Sequence, residues 1–196
     1  MKDPFSIMKT AFGFWESKVL LTAVEMELFT LLGGESMTAG EIEQKLSLHP
    51  RGTYDFLDAL VSMGFLDREG DGPGGRYKNT ETSRHFLDKN SDTYVGGILE
   101  MLNSRLFKYW DDLPEALRTG KPQNEIKHSQ KPLFEELYAD IPRLERFMGA
   151  MTGLSRQNFV ALAQKFDFSR YRTLCDVGGA AGVLSLSMEV TRPRSS

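Results

Sequence analysis

One cysteine, three histidines and two tryptophans in 196 residues are what this sequence is shortest of. With Cys175 alone, no intrachain disulfide and no cysteine-built metal site is available, and a reducing compartment is the simple reading. His49, His85 and His128 are scattered without metal-ligand spacing. Charge of one sign is missing too: 24 Lys and Arg stand against 27 Asp and Glu, a net charge of -3, so the chain offers no general attraction to nucleic acid. No apolar run approaches the roughly 20 residues that span a bilayer. Met1-Lys2-Asp3-Pro4 lacks the charged-then-apolar pattern of a secretory signal. Internal repeats and low-complexity tracts are absent. Together these predict a soluble, cytoplasmic protein. Its length and 40% hydrophobic content allow one large or two small domains with a sizeable core.

What is present begins with a long helix, predicted from Pro4 to about Leu32 and ended by Gly33-Gly34. Phe5, Met8, Phe12, Trp15, Val19, Ala23 and Met26 recur at three- and four-residue intervals along one stripe. Leu20 and Leu21 widen that stripe, so the helix must pack on more than one surface, which suits a dimer. Thr38-Ala39-Gly40-Glu41 reads as a capping box that starts a short helix to Leu46. Ser47-Leu48-His49 is a turn, and Pro50 pre-sets the first turn of another helix carrying Tyr54, Phe56, Leu57, Leu60, Val61 and Met63. Phe65 to Thr80 follows as a hairpin with Gly70-Asp71-Gly72-Pro73-Gly74-Gly75 at its tip.

Together these segments describe a winged helix. Its functional reading would be DNA binding, which requires clustered Lys or Arg facing phosphate. The candidate recognition helix instead sets Arg51 against Asp55 and Asp58, leaving Arg68, Arg76, Lys78 and Arg84 around the wing as its basic residues.

Thr93 to Arg118 is predicted helical, with a break near Leu113-Pro114 and Gly120 as a C-cap. Lys121 to Lys131 is polar and reads as a surface loop. Pro132 and Pro142 mark the starts of two more helices, the second reaching Lys165. Along that second helix Phe147, Met148, Met151, Leu154 and Phe159 form an apolar, soft-sulfur stripe, for which core packing is the plain reading.

Leu174-Cys175-Asp176-Val177-Gly178-Gly179-Ala180-Ala181-Gly182 is the segment with the most chemistry. The apolar run from Leu174 to Val177 predicts a buried parallel strand, with Cys175 packed inside it. Glycines then let backbone approach a ligand at the next helix's N-terminus. The dinucleotide fingerprint is G-x-G-x-x-G, whereas here Gly178, Gly179 and Gly182 follow an acidic residue, which is closer to an S-adenosylmethionine loop. Val183 to Val190 starts as a good helix, but the tail from Thr191 to Ser196 is polar and proline-broken.

These pieces, in this order, resemble the S-adenosylmethionine-dependent O-methyltransferases of the acetylserotonin, hydroxyneurosporene and plant phenolic type. The resemblance is carried by Ser17-Lys18-Val19-Leu20, Gly64-Phe65-Leu66, Tyr77-Lys78-Asn79-Thr80, Trp110-Asp111-Asp112-Leu113 with Thr119-Gly120-Lys121-Pro122, Arg146 to Met151, and Asp176-Val177-Gly178-Gly179. It implies a mainly α chain: a winged-helix-like dimerisation domain (1–90), a helical segment lining the acceptor pocket (91–168), and the truncated start of an α/β Rossmann-like methyltransferase domain (169–196). It also implies S-adenosylmethionine as cofactor, near Met151, Ser155, Asp176, Gly178, Gly179 and Gly182. Phe107, Trp110, Phe147 and Met148 would line a pocket for a small hydroxylated aromatic or polyene substrate, in a homodimer formed through the N-terminal helices. Phe12 and Trp15 would pack in that dimer or reach across it toward the partner's pocket, and a buried helix-to-helix contact would explain Phe107 and Trp110 equally well.

The resemblance places the proton-abstracting histidine and its acidic support beyond residue 196, and the ribose-binding acid at or just past the terminus, so no catalytic residue is assigned. The chain is expected to be inactive alone. The other readings are a non-catalytic dimerisation module, a winged-helix DNA-binding regulator, and a dinucleotide-dependent oxidoreductase.

Overall fold

Tyr77 and Phe29 are both fully buried, and apolar side chains from helices and a small sheet meet around them. The structure is a computed structural model that describes residues 3–129, 132–179 and 181–191. Met1-Lys2, Gln130-Lys131, Ala180 of the glycine segment and the tail 192–196 lie outside the described residues. The chain divides into two units, Met1–Phe107 and Lys108–Ser196.

The first unit opens with α1 (Phe5–Glu25) and α2 (Leu28–Leu32), where the sequence predicted one helix to Leu32. The break falls at Glu27, which is left-handed at φ 56°, a conformation that costs a non-glycine residue about 1 kcal/mol. The turn re-aims Leu28, Phe29 and Leu32 into the core, where each is at most 1% exposed. Burial of each such side chain contributes about 1.5–3 kcal/mol and outweighs the strain.

The capping box forms as predicted: Thr38 Oγ1 accepts from the Glu41 N–H while the Glu41 carboxylate accepts from the Thr38 N–H, starting α3 (Ala39–Leu46). Pro50 stands in the first turn of α4 (Pro50–Ser62). The predicted hairpin is β2 (Leu66–Glu69) and β3 (Arg76–Asn79), and β1 (Ser36–Thr38), which the sequence did not announce, adds to it. The order is β1-β3-β2, all antiparallel, with Tyr77 opposite Met37 on one side and Arg68 on the other. Thr80 caps α5 (Glu81–Phe86) by accepting from the Ser83 N–H.

The helical stretch expected over Thr93–Arg118, with one break near Leu113-Pro114, is interrupted earlier as well. It begins as α6 (Gly96–Met101), passes through a π-helical turn at Leu102–Leu106, and tightens to a 3-10 turn at Trp110–Asp112. The second unit then holds α7 (Leu113–Thr119), α8 (Ile126–Ser129), α9 (Leu133–Tyr138), α10 (Ile141–Lys165) and α11 (Val183–Thr191). Pro114 sits in the first turn of α7, and Gly120 ends it at φ +64°. The segment expected to be only loop contains α8, started by Asn124, whose Oδ1 accepts from the Ile126 N–H.

Leu174–Val177 is not a strand. Among the described residues of this unit no strand forms, so the segment has no ladder to join, and Val177 is 92% exposed. Strands are stabilised by paired neighbours, and an apolar run without one stays irregular. Cys175, expected to be packed, is exposed for the same reason.

Candidate functional site

The glycine turn reads residue by residue. Gly178 (φ +75°) and Gly182 (φ +68°) hold left-handed backbone that a side chain would strain. Gly179 is needed for a different reason: a Cβ there would lie 2.6 Å from Asp176 Oδ2. The Asp176 carboxylate therefore folds over Gly179, whose N–H donates to the Asp176 carbonyl at 3.3 Å, and the Gly182 N–H donates to the Gly179 carbonyl at 2.6 Å. The Leu186 N–H then bonds the Gly182 carbonyl at 3.0 Å, so α11 starts directly from the turn. The first N–H groups of the helix carry the positive end of its dipole towards the turn.

Helix α10 supplies the other side of the predicted cofactor set. Asp140 Oδ1 accepts from the Arg143 N–H at 3.1 Å and Pro142 stands in the first turn, which fixes where the helix begins. Phe147, Met151 and Ser155 follow at intervals of four, on one stripe, with Met148 beside Phe147. All four are half-buried, while Ala150 is fully buried. Helix α10 packs against α11.

Trp110 lies on the 3-10 turn and is 69% exposed, so it is not a buried helix-to-helix contact. Phe107 closes the first unit and is half-buried, with the Lys18 ammonium 5.5 Å above its ring.

The sequence reading missed an apolar cavity of about 260 Å³ in the second unit, lined by Phe166, Phe168, Tyr171, Leu174, Cys175 and Met188 among others. Phe166 lies 4.6 Å from Phe168 and 5.9 Å from Tyr171 between ring centroids. The close spacing of those aromatics before Leu174 was the available signal. Among the described residues no group of three or more His, Cys, Asp or Glu could hold a metal ion, and no helix is long and apolar enough to cross a membrane.

In chain order, a helical unit with a small antiparallel sheet is followed by a helical unit that carries a glycine turn feeding a helix. Residues 8–89 match the family model of the O-methyltransferase dimerisation domain, and residues 110–195 match that of the O-methyltransferase domain. The chain belongs to this O-methyltransferase family. It is 37% identical to the tetracenomycin polyketide synthesis 8-O-methyl transferase TcmO of Streptomyces glaucescens, over 98% of this chain and 55% of that one. It is 29% identical to the N,N-dimethyltransferase OxyT of Streptomyces rimosus, over 96% of this chain and 54% of that one. Human N-acetylserotonin methyltransferase, solved in complex with SAM, superposes with a TM-score of 0.85 at 26% identity, over 97% of this chain and 56% of that one. The chain spans about half the length of the relatives it matches.

Proposed function

We propose that this chain carries the dimerisation region and the cofactor-loop region of an S-adenosylmethionine-dependent O-methyltransferase acting on a hydroxyl of a small aromatic or polyene molecule. The observation that carries the reading is the turn itself: Gly179 lies under Asp176, and Gly178 and Gly182 are left-handed directly before α11. That geometry fits the cofactor, because it needs no side chain in the turn and leaves backbone free for close approach. Asp176, Gly178, Gly179 and Gly182 would hold it from the turn, and Met151 and Ser155 from α10. When bound, the cofactor supplies an electrophilic methyl group on a sulfonium sulfur.

The chain's own residues bind and orient. Turn amides other than those of Gly179 and Gly182, which bond within the turn, would donate to the cofactor, the Asp176 carboxylate would accept from its hydroxyl or ammonium groups, and the Met151 thioether would adapt its shape to an apolar neighbour. Phe107 of the first unit, and Trp110, Phe147 and Met148 of the second, are each proposed as residues that would touch a flat acceptor. No residue here is assigned as a proton-abstracting base.

In this reading residues 1–90 are a winged-helix-like module that pairs two copies through α1, residues 91–168 line the acceptor, and residues 169–196 open a Rossmann-like unit. The exposed thiol of Cys175 suits a reducing cytoplasm. TcmO's name is the reason to include polyketide hydroxyls in an acceptor panel, and OxyT's name the reason to include amines.

Calorimetric titration of the 196-residue chain with S-adenosylhomocysteine tests the cofactor assignment. Saturable binding of one ligand per chain is expected. No heat from a chain that is folded by circular dichroism overturns the cofactor assignment. That result, with self-association retained, selects the second reading, a dimerisation module without its own activity. The second reading is favoured by the exposed aromatic face of α1 and the unpaired Leu174–Val177 segment.

A further inference from the structure

Asn103 lies in the π-helical turn Leu102–Leu106 and is 6% exposed, yet both ends of its amide are spoken for. Its Oδ1 accepts from Lys18 Nζ and its Nδ2 donates to Glu25 Oε2. Lys18 and Glu25 are two turns apart on α1 and so face the same way. An ammonium on one side and a carboxylate on the other leave the amide one orientation, because swapping its ends would oppose donor to donor and acceptor to acceptor.

The turn that Asn103 anchors is an unusual one. A π turn carries one residue more than an α turn and persists where neighbours hold it in place. Its last hydrogen bond runs from the Phe107 N–H to the Leu102 carbonyl, so the backbone of Phe107 is set by this turn. The side chain is set as well, since the same Lys18 ammonium lies 5.5 Å over the Phe107 ring, a contact that resists rotation of the ring away from the charge.

We infer that Lys18 is a positioning residue for the methyl acceptor: it fixes Phe107 by holding the π turn through Asn103 and by stacking its charge on the ring. The assignment rests on the reading of Phe107 as acceptor-lining. It deepens that reading by naming what sets the ring, and it makes a residue of α1, the helix with the exposed aromatic face, a determinant of acceptor binding.

The test places 4-fluorophenylalanine at position 107 of the full chain, follows its fluorine resonance, and titrates the chain with 1-naphthol as a flat hydroxylated probe. Lys18→Met should shift or broaden the resonance and weaken naphthol binding about tenfold. Lys18→Arg, which keeps the cation, should restore both. Should Lys18→Met fail to fold, Lys18→Gln keeps a donor for Asn103 and removes only the charge from the ring. A resonance that none of these variants moves, or wild-type naphthol binding that the uncharged variants leave unchanged, overturns the Lys18 assignment alone. A resonance that moves while the wild-type chain does not bind naphthol overturns the acceptor reading of Phe107, and this assignment with it.

Discussion

Asn79 Nδ2 donates to the carbonyl of Phe29 at 2.7 Å, tying β3 to the end of α2 across fifty residues of chain. The second proton of the same amide goes to the Gly33 carbonyl at 3.0 Å. The Phe29 carbonyl also accepts from the Gly33 N–H at 3.0 Å, so the side chain adds a second donor there and supplies one to the Gly33 carbonyl beyond the helix end. Asn79→Ala is therefore expected to lower the unfolding free energy by about 1–3 kcal/mol in a denaturant titration, the cost of losing one bond to the Phe29 carbonyl and the side-chain donor of the Gly33 carbonyl. Asn79→Asp should be worse than Asn79→Ala, because it sets a carboxylate against carbonyl oxygens at the negative end of a helix.

Tyr77 gives the structure an alkaline limit. Burial, then donation of its hydroxyl to Asp58 Oδ1 at 2.7 Å, push its pKa from 10.0 to about 12. The folded-state pKa lies above the unfolded one, so the stabilisation is complete below pH 10 and is lost as pH rises through 12. About 2–3 kcal/mol is at stake in that window. Tyr77→Phe should start less stable by about 1 kcal/mol at pH 7, and should show a shallower loss between pH 10 and 12 when the two chains are unfolded by urea. Parallel alkaline losses in both would mean that other groups set the limit.

Local chemistry was readable before the structure: the Thr38–Glu41 capping box, Pro50, the glycine tip of the hairpin, and Pro142 at the head of a helix to Lys165. Each is a signal carried by residues within a few positions of one another. The break at Glu27 was not readable, because no local sequence rule puts a glutamate in left-handed backbone; its carboxylate is held by Lys89, 62 residues away. Strand β1 is only three residues long and shows no alternation. Leu174–Val177 has strand composition, but a strand also needs a partner. The glycine turn was legible from its spacing, whereas Lys18, Glu25 and Asn103 are brought together only by folding.

Gly179 separates steric from conformational demands on the turn. Gly179→Ala puts a methyl group 2.6 Å from the Asp176 carboxylate and must displace it. Gly182→Ala meets no neighbouring atom but forces alanine to φ +68°, at about 1–2 kcal/mol. Both should weaken S-adenosylhomocysteine by about tenfold or more in calorimetry. Asp176→Ala placed behind Gly179→Ala should relieve the clash without restoring affinity, since the carboxylate itself is lost. Undiminished binding by Gly179→Ala would remove this turn from the cofactor site.

The basic residues of the β2–β3 hairpin are largely spent inside the fold. Arg68 holds both oxygens of Asp58 at 3.0 Å, Arg76 bonds Ser36 and lies 3.5 Å from Glu41, and Lys78 pairs with Glu69. The hydrogen bond and charge of Glu69 raise the Lys78 pKa, and the Lys78 ammonium lowers that of Glu69 in return. Contacts to phosphate would have to break these pairs. Fluorescence anisotropy with a duplex at about 50 mM salt should show no salt-sensitive binding. A steep salt slope would restore the DNA-binding reading.

The proposed pairing of two copies through α1 predicts a role for the exposed aromatics of that helix. Phe12 and Trp15 stack with ring centroids 4.8 Å apart and planes 5° from parallel, while remaining 42% and 56% exposed. Phe5 and Ile7, further towards the N-terminus, are 68% and 69% exposed. Exposed apolar side chains of this kind are what the proposed pairing through α1 would cover. In a two-fold dimer each residue counts twice, so burial of Trp15 would contribute about 3–6 kcal/mol to association. Trp15→Glu should therefore shift a sedimentation-equilibrium dimer to monomer. Its effect on the core of the first unit should be small, because the ring is exposed in the single chain. A dimer that survives Trp15→Glu and Phe12→Glu together would place the contact elsewhere, and the exposed stripe would then need a different partner.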